Sequence, residues 1–278
     1  MITHKFKFPT KRIRRNLDDY PYGPITLHTL EDYDAMASIG RVAADTLDFI
    51  TPHVKPGIST AEIDRLSHKF MTDNGTIPAT IDYHGYQHAS CISVNHVAVH
   101  GIPTAAKILK NGDIVNIDVT PRLDGPDHWH GDTSRMFKVG KVPAHAARLI
   151  EATEKSLAAG IEAARPGNLL GDIGIACGQV ALDYGYAIAT DFCGHGIGLT
   201  FHDNPEVIHV EPDQMGPELL PGMIFTIEPI LNLGKPDVKI LADGWTAVTK
   251  DRKLSAQAEH TVGITEEGLQ IFTQSKNT

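Results

Sequence analysis

The sequence predicts an α+β fold built from two similar halves. Three observations support this prediction: two pairs of amphipathic helices, an alternating strand after each pair, and a constant offset of 110 residues between the two sets. Apolar side chains at steps of three and four residues indicate helices, and strict alternation indicates strands. Two α+β halves that repeat in this way form one pseudo-symmetric domain.

The first helix pair lies between residues 31 and 75. The segment from Glu31 to Ile50 carries an apolar stripe, and the Pro-Gly dipeptide at 56–57 ends it. Ser59 and Glu62 form a capping-box pattern that opens a second helix, which ends at Gly75. The stripe of the first helix consists of Met36, Ile39, Ala43, Leu47 and Ile50.

The second helix pair repeats the first. A helix over 146–161 ends at the Pro-Gly dipeptide of 166–167, and a further helix ends near Gly185. One match at a fixed offset arises by chance, but two clusters in the same register indicate an internal duplication. The matched segments are KPG at 55–57 with RPG at 165–167, and NGDIVNID at 111–118 with PGMIFTIE at 221–228.

A strand in each half carries a carboxylate on its polar face. Residues 114–119 alternate, so Asn116 and Asp118 share one face while the apolar residues between them share the other. In the second half, Thr226 and Glu228 share a face in the same way. If the halves pack around a pseudo-twofold axis, the two carboxylates converge, and paired acids must then share a proton or hold a cation.

The composition excludes several classes of protein. No apolar run reaches the length of about 18 residues that indicates a membrane span, and we expect no secretory signal at the N-terminus. Cys91, Cys177 and Cys193 show no C-x-x-C spacing, so the sequence predicts reduced thiols in a cytoplasmic protein. We expect Cys193 to be a packing residue.

The net charge of −9 is unevenly distributed. Residues 1–15 hold six basic side chains and no acidic one, so the rest of the chain is more acidic than the total suggests. We interpret residues 1–29 as a basic N-terminal arm with a solvated charged tail, and contact with an RNA or phosphate surface is the alternative. Residues 30–278 are expected to form a single domain. The basic side chains are Lys5, Lys7, Lys11, Arg12, Arg14 and Arg15.

Candidate metal ligands lie in separate segments of the chain. The loop 123–130 precedes a GDT segment, which is consistent with a hairpin that returns beside the strand of residues 114–119. Four carboxylates and one imidazole suit Mn²⁺, Fe²⁺, Co²⁺ or Zn²⁺, and they suit two bridged ions that activate water better than one structural zinc. The candidates are Asp118, Asp132, His195, Glu228 and Glu259.

Six segments with chemically informative residues occur in a fixed order. They are SVNxxxxHGIP at 93–103, GDIVNID at 112–118, HGDTS at 130–134, GHGIG at 194–198, FTIEP at 225–229 and SAQxEH at 255–260. In these segments the sequence resembles the type I methionine aminopeptidases, and the resemblance extends over about 30–273. The pita-bread fold of that family has two pseudo-twofold halves, a central antiparallel sheet and helices on its outer face, which agrees with the duplication.

The resemblance implies a role for each candidate ligand in a site with two divalent ions per chain, whether Co²⁺, Mn²⁺, Fe²⁺ or Zn²⁺. It implies that Asp118 chelates one ion and that Asp132 and Glu259 bridge both. His195 and Glu228 are then the ligands of the other ion. Glu228 is also implied to accept a proton from the reacting water.

The resemblance also implies a set of substrate-binding residues. His100 would contact the substrate near the scissile nitrogen, and His202 would donate a hydrogen bond to the carbonyl oxygen as it becomes tetrahedral. An aromatic cleft with one soft sulfur suits a thioether side chain. The implied methionine pocket consists of Tyr83, Tyr86, Cys91, Phe201 and Trp245.

The function that the resemblance implies is hydrolytic removal of the initiator methionine from nascent proteins when the second residue is small. The enzyme is expected to be a cytoplasmic monomer that contacts the ribosome transiently and binds neither membranes nor specific DNA. Two alternatives remain: an X-Pro aminopeptidase or prolidase, and a catalytically inactive pita-bread protein that acts as a binding module. The five candidate ligands argue against the inactive protein, and the short segment before the first helix argues against the X-Pro enzymes, which usually carry a further N-terminal domain.

Three features depart from the pattern of the family. Thr80 stands where many bacterial members have a pocket cysteine, and His96 replaces an acidic residue. The loop over 121–131 is about three residues longer than expected, and an inserted loop of this kind alters an entrance or is simply tolerated. We expect the changes at Thr80 and His96 to leave the chemistry intact.

Overall fold

The computed structural model describes residues 6–277, in which helices alternate with short strands. Lys5, one of the basic residues of the predicted arm, lies outside this range. Among the described residues, no helix is both long and apolar enough to cross a bilayer. The α-helices are α1 (Leu30–Ile50), α2 (Thr60–Asp73), α3 (Ala144–Ala163) and α4 (Leu170–Tyr184).

The strands are short and fall into several sheets. Those of the first half are β1 (Ile13–Arg15), β2 (Ile25–Leu27), β3 (Thr76–Pro78), β4 (Ser90–Val94), β5 (Val97–Val99), β6 (Ile114–Val119), β7 (Pro121–Leu123) and β8 (Thr133–Lys138). Those of the second half are β9 (Ala187–Ile188), β10 (Gly194–Gly196), β11 (Asp203–Val207), β12 (Ile224–Ile227), β13 (Ile230–Asn232), β14 (Val238–Ile240), β15 (Ala247–Thr249), β16 (Ser255–Gln257), β17 (His260–Ile264) and β18 (Leu269–Ile271).

Helices α1 and α2 begin where the sequence predicts, and their caps explain why. Thr29 and Asp32 form a complete capping box at the start of α1, which the sequence analysis does not identify. At α2, the Ser59 hydroxyl accepts a hydrogen bond from the Glu62 N–H, as predicted. The predicted return bond from the Glu62 side chain is wrong, because that carboxylate pairs with Arg65 one turn further along the helix.

Two antiparallel sheets form the centre of the fold. One has the strand order β4-β6-β8, and the other has the order β11-β10-β12-β17-β18. The predicted hairpin is confirmed, because β6 pairs with β8 from Ile114 opposite Lys138 to Val119 opposite Thr133. The central strands β6 and β12 begin at Ile114 and Ile224, which differ by the same 110 residues as the matched sequence segments.

Each helix pair covers the apolar face of one central sheet. Val115, Ile117 and Val119 of β6 are buried in one cluster with Leu47 of α1 and Ile63 of α2. Residues of α3 and α4 form the equivalent cluster over β12. The alternation predicted for these strands therefore sends the apolar side chains towards the helices and leaves the polar face for the interior of the molecule. The second cluster includes Leu149, Leu157, Ile173, Phe225 and Ile227.

The described part of the N-terminal arm lies against the domain. Strand β1 pairs with β2, the Nε of Arg12 lies 3.1 Å from the Asp32 carboxylate, and Arg14 donates to Asp203 at 2.8 Å. For Arg12, Arg14 and the strand that carries them, the interpretation as a solvated tail is therefore wrong. Among the five basic side chains of the arm that the structure describes, two have acidic partners on the domain, and a composition count does not reveal such long-range pairing.

The longer loop over 121–131 holds the arm in place. Trp129 is only 3% exposed and packs in a core cluster with Tyr33 and Met36 of α1. The Arg12 guanidinium lies 5.2 Å from the Trp129 ring, and the His28 ring lies 5.3 Å from it. Cation–π and ring contacts of this kind join the inserted loop to the arm.

Asp48 of α1 connects the first helix to the central sheet and to the end of the described chain. Its carboxylate accepts hydrogen bonds from Arg135 at 2.8 Å, from Ser275 at 2.7 Å and from Asn277 at 2.9 Å. Burial alone would raise the pKa of Asp48, but the bonds from Ser275 and Arg135 outweigh it and lower the pKa.

We expect Asp48→Ala to lower the free energy of unfolding by about 1–3 kcal/mol at pH 7, because three donors lose their acceptor. A lowered folded-state pKa stabilises the protein above the unfolded value of about 3.9, and this contribution is lost as the pH falls further. Urea denaturation should therefore show a smaller difference between wild type and variant at pH 3 than at pH 7. Exposed Asp183 of α4 offers the matched control, and an equal effect of Asp183→Ala would contradict the role of Asp48.

Candidate metal centre and substrate cleft

All twelve residues that the sequence singles out as candidates line one cleft of about 590 Å³. The cleft takes residues from both halves of the fold, including Asp118 of β6 and Glu228, which directly follows β12. The candidate metal ligands on its walls are Asp118, Asp132, His195, Glu228 and Glu259. The remaining candidates are Tyr83, Tyr86, Cys91, His100, Phe201, His202 and Trp245.

Three carboxylates approach one another closely. Asp118, Asp132 and Glu259 each offer an oxygen, and these atoms all lie within 4.8 Å of one another. The His195 Nε2 lies 3.6 Å from Asp132 Oδ2 and 3.7 Å from Glu228 Oε1, which joins the remaining two candidates to the cluster. Four acids and one imidazole thus converge from five separate segments of the chain.

Two glycines explain how His195 reaches this position. A Cβ atom at residue 194 would lie 2.3 Å from the Thr226 carbonyl oxygen, and one at residue 196 would lie 2.0 Å from the Asn204 oxygen. No side chain fits at these distances, so β10 can lie this close to its neighbouring strands only with glycine on both sides of His195. The GHG motif is therefore a packing requirement of the strand that carries the imidazole.

Neighbouring hydroxyl and amide groups fix the carboxylates. The Thr120 hydroxyl donates to Asp132 Oδ1 at 2.8 Å. The Thr226 hydroxyl donates to Glu228 Oε1 at 2.7 Å, and the Gln257 amide donates to Oε2 at 3.1 Å. The sequence pattern predicted a hydrogen-bonding residue two positions before each carboxylate, and Thr226 fulfils this prediction. Thr120 and Gln257 were missed because the carboxylates that they bond lie 12 and 29 residues away along the chain.

Asn116 does not have the role of Thr226 in the other half. Its amide donates to the Ser134 hydroxyl at 3.0 Å and to the Gln257 carbonyl at 2.9 Å. Asn116 therefore ties β6 to the segment before Glu259, rather than holding the Asp118 carboxylate. The two halves share a backbone arrangement here but differ in the hydrogen bonds that it supports.

His209 supports the backbone at Glu228. The Glu228 N–H donates to the His209 Nε2 at 2.9 Å, and burial lowers the pKa of His209 to about 3. His209 is therefore a neutral imidazole at pH 7, as an acceptor nitrogen requires. No local sequence pattern predicts this contact, since 19 residues separate the two groups.

One carboxylate oxygen of the cluster lacks a protein partner. Glu259 Oε1 is fully buried and accepts no hydrogen bond from the described part of the chain. A buried polar atom without a partner costs free energy unless another group satisfies it. Glu259 belongs to the cluster formed with Asp118 and Asp132, so a cation bound there would offer this carboxylate a partner.

The electrostatics of the cluster also favour a cation. Burial and then the charge of neighbouring carboxylates raise the pKa values of Asp118 and Glu259 well above their ordinary range. Burial raises the pKa of Glu228 to about 7, although His195 opposes this shift. Burial lowers the pKa of His195, but Asp132 and Glu228 outweigh it and the net direction is upward. Divalent ions would offset the mutual repulsion of these acids.

Aromatic side chains form the walls above the carboxylates. On one side, Tyr83 lies 4.9 Å from Phe201 and stacks on His202 at 5.1 Å. On the other side, Trp245 lies 5.0 Å from Tyr86 and 6.3 Å from His100. These ring contacts form two separate groups, one of which includes His202 and the other His100.

Cys91 contributes sulfur to the same cleft. It lies opposite Asp118 in the pairing of β4 with β6, so its side chain shares the face of the carboxylates. Burial and the nearby Asp118 charge raise the pKa of the Cys91 thiol well above its ordinary value. The thiol therefore stays protonated and presents a soft, weakly polar surface.

Several further residues line the cleft, among them Asp191, Cys193 and Glu206. Cys193, which the sequence predicts to be a packing residue, directly precedes the GHG motif and contributes to this lining. Thr80 also lines the cleft, where its hydroxyl donates to the His88 carbonyl at 2.7 Å. A hydroxyl group has a single hydrogen, and that of Thr80 is already donated to the His88 carbonyl.

Comparisons with known proteins decide the family. The model of metallopeptidase family M24 matches residues 34–266, which is most of the chain. The chain belongs to metallopeptidase family M24. The M24 match includes every candidate ligand and every cleft residue named above, and it begins after the arm.

Relatives within the family are highly similar to this M24 chain. It is 48% identical to a methionine aminopeptidase of Rickettsia prowazekii over 252 residues, which cover 90% of this chain and 96% of the relative. It is 45% identical to a methionine aminopeptidase of Escherichia coli K12, over 91% of this chain and 95% of the relative. The resemblance to the methionine aminopeptidases is confirmed.

Solved structures support the fold. The crystal structure of the Rickettsia prowazekii methionine aminopeptidase matches with a TM-score of 0.87 and covers 90% of this chain and all of that one. A prolidase of Pyrococcus furiosus matches with a TM-score of 0.72 at 22% identity, covering 90% of this chain and 66% of that one, which shows a shared fold alone. The predicted α+β pita-bread architecture is confirmed by these likenesses.

Proposed function

We propose that the chain is a metal-dependent aminopeptidase that removes the initiator methionine from new proteins when the second residue is small. One observation carries the proposal: carboxylates and an imidazole converge at one end of an aromatic cleft that contains a protonated thiol. Relatives that match over nine-tenths of this chain are named methionine aminopeptidases, which supports the same activity.

The five candidate ligands would hold two divalent ions, with Co²⁺, Mn²⁺, Fe²⁺ and Zn²⁺ all compatible with the donor set. Asp118 would bind one ion, and Asp132 and Glu259 would bridge both. His195 and Glu228 would bind the other ion. When bound, such ions supply Lewis-acid activation of a water molecule and of the substrate carbonyl. The unpartnered buried oxygen of Glu259 supports this assignment.

Glu228 would accept the proton of the attacking water and return it to the leaving amine. Both of its oxygens receive hydrogen bonds, from Thr226 and Gln257, so the orientation of the carboxylate is fixed before substrate binds. A fixed general base needs little reorganisation during the reaction.

His202 would donate a hydrogen bond to the carbonyl oxygen as negative charge develops there. Burial in the cleft and then the neighbouring His195 lower the pKa of His202. Its ring is therefore neutral at pH 7 and keeps one N–H donor. Tyr83 stacks on the ring and restricts its rotation. His100 on the facing wall would contact the substrate near the scissile nitrogen, and burial keeps its pKa low as well.

The methionine side chain would lie between the two aromatic walls. Tyr86 and Trp245 form one wall, Tyr83 and Phe201 form the other, and Cys91 lies beside the carboxylates. Apolar rings and a thiol suit a thioether, because sulfur is polarizable and makes favourable contacts with ring edges. The Tyr86 hydroxyl donates to the Ser90 carbonyl at 2.9 Å, so it does not present a free donor to the pocket.

We also propose that the enzyme acts in the cytoplasm as a monomer and contacts the ribosome transiently. Lys7, Lys11 and Arg15 are exposed on the described part of the arm, and no salt bridge with a described residue engages them. These cations support the idea of contact with ribosomal phosphates, whereas Arg12 and Arg14 already have acidic partners.

Metal-stripped protein provides the test of the activity. With added Mn²⁺ or Co²⁺ it should release methionine from Met-Ala-Ser and leave Ala-Pro-Ala intact, because the cleft fits a thioether. Free methionine is measured by chromatography across a titration of each ion. Cleavage of Ala-Pro-Ala alone would indicate an X-Pro aminopeptidase, and bound metal without turnover of either peptide would indicate an inactive binding protein.

We expect His202→Ala to lower kcat on Met-Ala-Ser by roughly 10²–10³-fold, the usual cost of losing one donor to a developing oxyanion. The effect should fall mainly on kcat, because the donor is needed more in the transition state than in the bound substrate. Exposed His145 of α3 provides the matched control, and His145→Ala should retain wild-type kinetics. A change of less than tenfold for His202→Ala would remove this residue from the mechanism.

A further inference from the structure

A second cavity adjoins the mouth of the catalytic cleft. It has a volume of about 250 Å³, and its walls come from residues 19–22 of the arm, from the start of α4 and from residues between 206 and 216. We call this cavity the arm groove. The M24 match begins at residue 34, so one wall of the arm groove lies outside the part of the chain that matches the family.

The arm groove is continuous with the catalytic cleft through Glu206, which lines both. Glu206 is the residue directly opposite His195 in the pairing of β11 with β10. Residues opposite each other in an antiparallel pair point to the same face, with Cβ atoms about 4.5–5.5 Å apart. The arm groove therefore begins about one side chain away from the candidate metal ligand.

This distance suits the downstream part of a bound substrate. An extended peptide advances about 3.4 Å per residue. If its first peptide bond lies at the carboxylate cluster, the fourth and fifth residues lie roughly 7–10 Å beyond the second. That reach is long enough for these residues to extend from the cluster past Glu206 to the arm groove.

Hydrogen bonds fix the arm at this place. The Tyr20 hydroxyl accepts from the Glu206 N–H at 2.9 Å and donates to Asn204 Oδ1 at 3.1 Å. The Asn204 amide in turn donates to the Tyr22 carbonyl at 3.2 Å. Asn204 itself lines the catalytic cleft, so the same side chain joins the cleft to the arm.

The arm groove is acidic and partly apolar. Asp19, Glu206 and Asp213 line it, all three are exposed, and none has an ion-pair partner in the part of the chain that the structure describes. Its described lining residues include no lysine or arginine. Tyr22, which is 69% exposed, and Ile208, which is 44% exposed, add apolar surface.

We propose that the arm groove binds the fourth and fifth residues of the substrate polypeptide and favours lysine or arginine there. This inference rests on the proposed function. The alkyl stems of these side chains pack on Tyr22 and Ile208 while their charged heads reach the three carboxylates. The arm is thus a substrate-binding element, and the loop that carries Trp129 holds it in position.

The test compares two amidated peptides, Met-Ala-Ser-Lys-Lys and Met-Ala-Ser-Glu-Glu, in the metal-loaded enzyme. We expect kcat/KM to be about five- to tenfold higher for the lysine peptide at low salt, and the ratio to approach 1 at high salt, because exposed charge pairs are screened. Asp19→Asn/Asp213→Asn should reduce the ratio by at least half. Asparagine suits position 19, where the backbone φ is 64°.

Exposed Asp183, at the far end of α4 from the groove, provides the charge-matched control, and Asp183→Asn should keep the wild-type ratio. Equal kcat/KM values for the two peptides would overturn the inference, as would a preference that neither salt nor the double variant reduces. Unchanged Met-Ala-Ser cleavage in those cases would leave the proposed function intact. No methionine release from Met-Ala-Ser would overturn the proposed function and this inference together.

Discussion

The mutual repulsion of buried carboxylates is the constraint on which the rest of the structure depends. Asp118, Asp132 and Glu259 lie close together in one cleft, and His195 links Asp132 to Glu228 there. Like charges at such distances in a medium of low polarity are strongly unfavourable unless protons or cations intervene. The folded chain keeps these groups together because strong packing elsewhere holds the strands that carry them.

That packing follows from the alternation of apolar and polar side chains along each strand. The apolar faces of β6 and β12 are buried beneath separate helix pairs, so the polar faces of both strands point towards the shared interior. A shift of either strand by one residue would bury its carboxylate under the helices and expose its apolar face. The register that stabilises the core therefore also positions the acids.

The sequence predicted the parts of this arrangement that depend on local pattern. The strand at Ile114–Val119 follows from alternation and the start of α2 from a cap. The hairpin to β8 follows from the loop that precedes the GDT segment. The candidate ligands were identified because their motifs lie in order along the chain, and the structure brings all of them to one cleft. Their metal-binding roles follow from resemblance and remain proposals.

Contacts between distant segments could not be predicted in this way. The bonds from Ser275 and Asn277 to Asp48 span more than 220 residues, and the contact of Arg12 with Trp129 joins the arm to an inserted loop. Neither has a sequence signature, because the residue types involved are common on protein surfaces. The interpretation as a solvated tail failed for Arg12 and Arg14 for this reason.

The central claim is that the carboxylate cluster is a metal centre, and anomalous diffraction from crystals of the manganese-loaded protein tests it most directly. The account predicts two peaks per chain in contact with Asp118, Asp132 and Glu259, and a loss of at least one peak in Asp132→Asn. Peaks elsewhere, or none at saturating Mn²⁺, would contradict it.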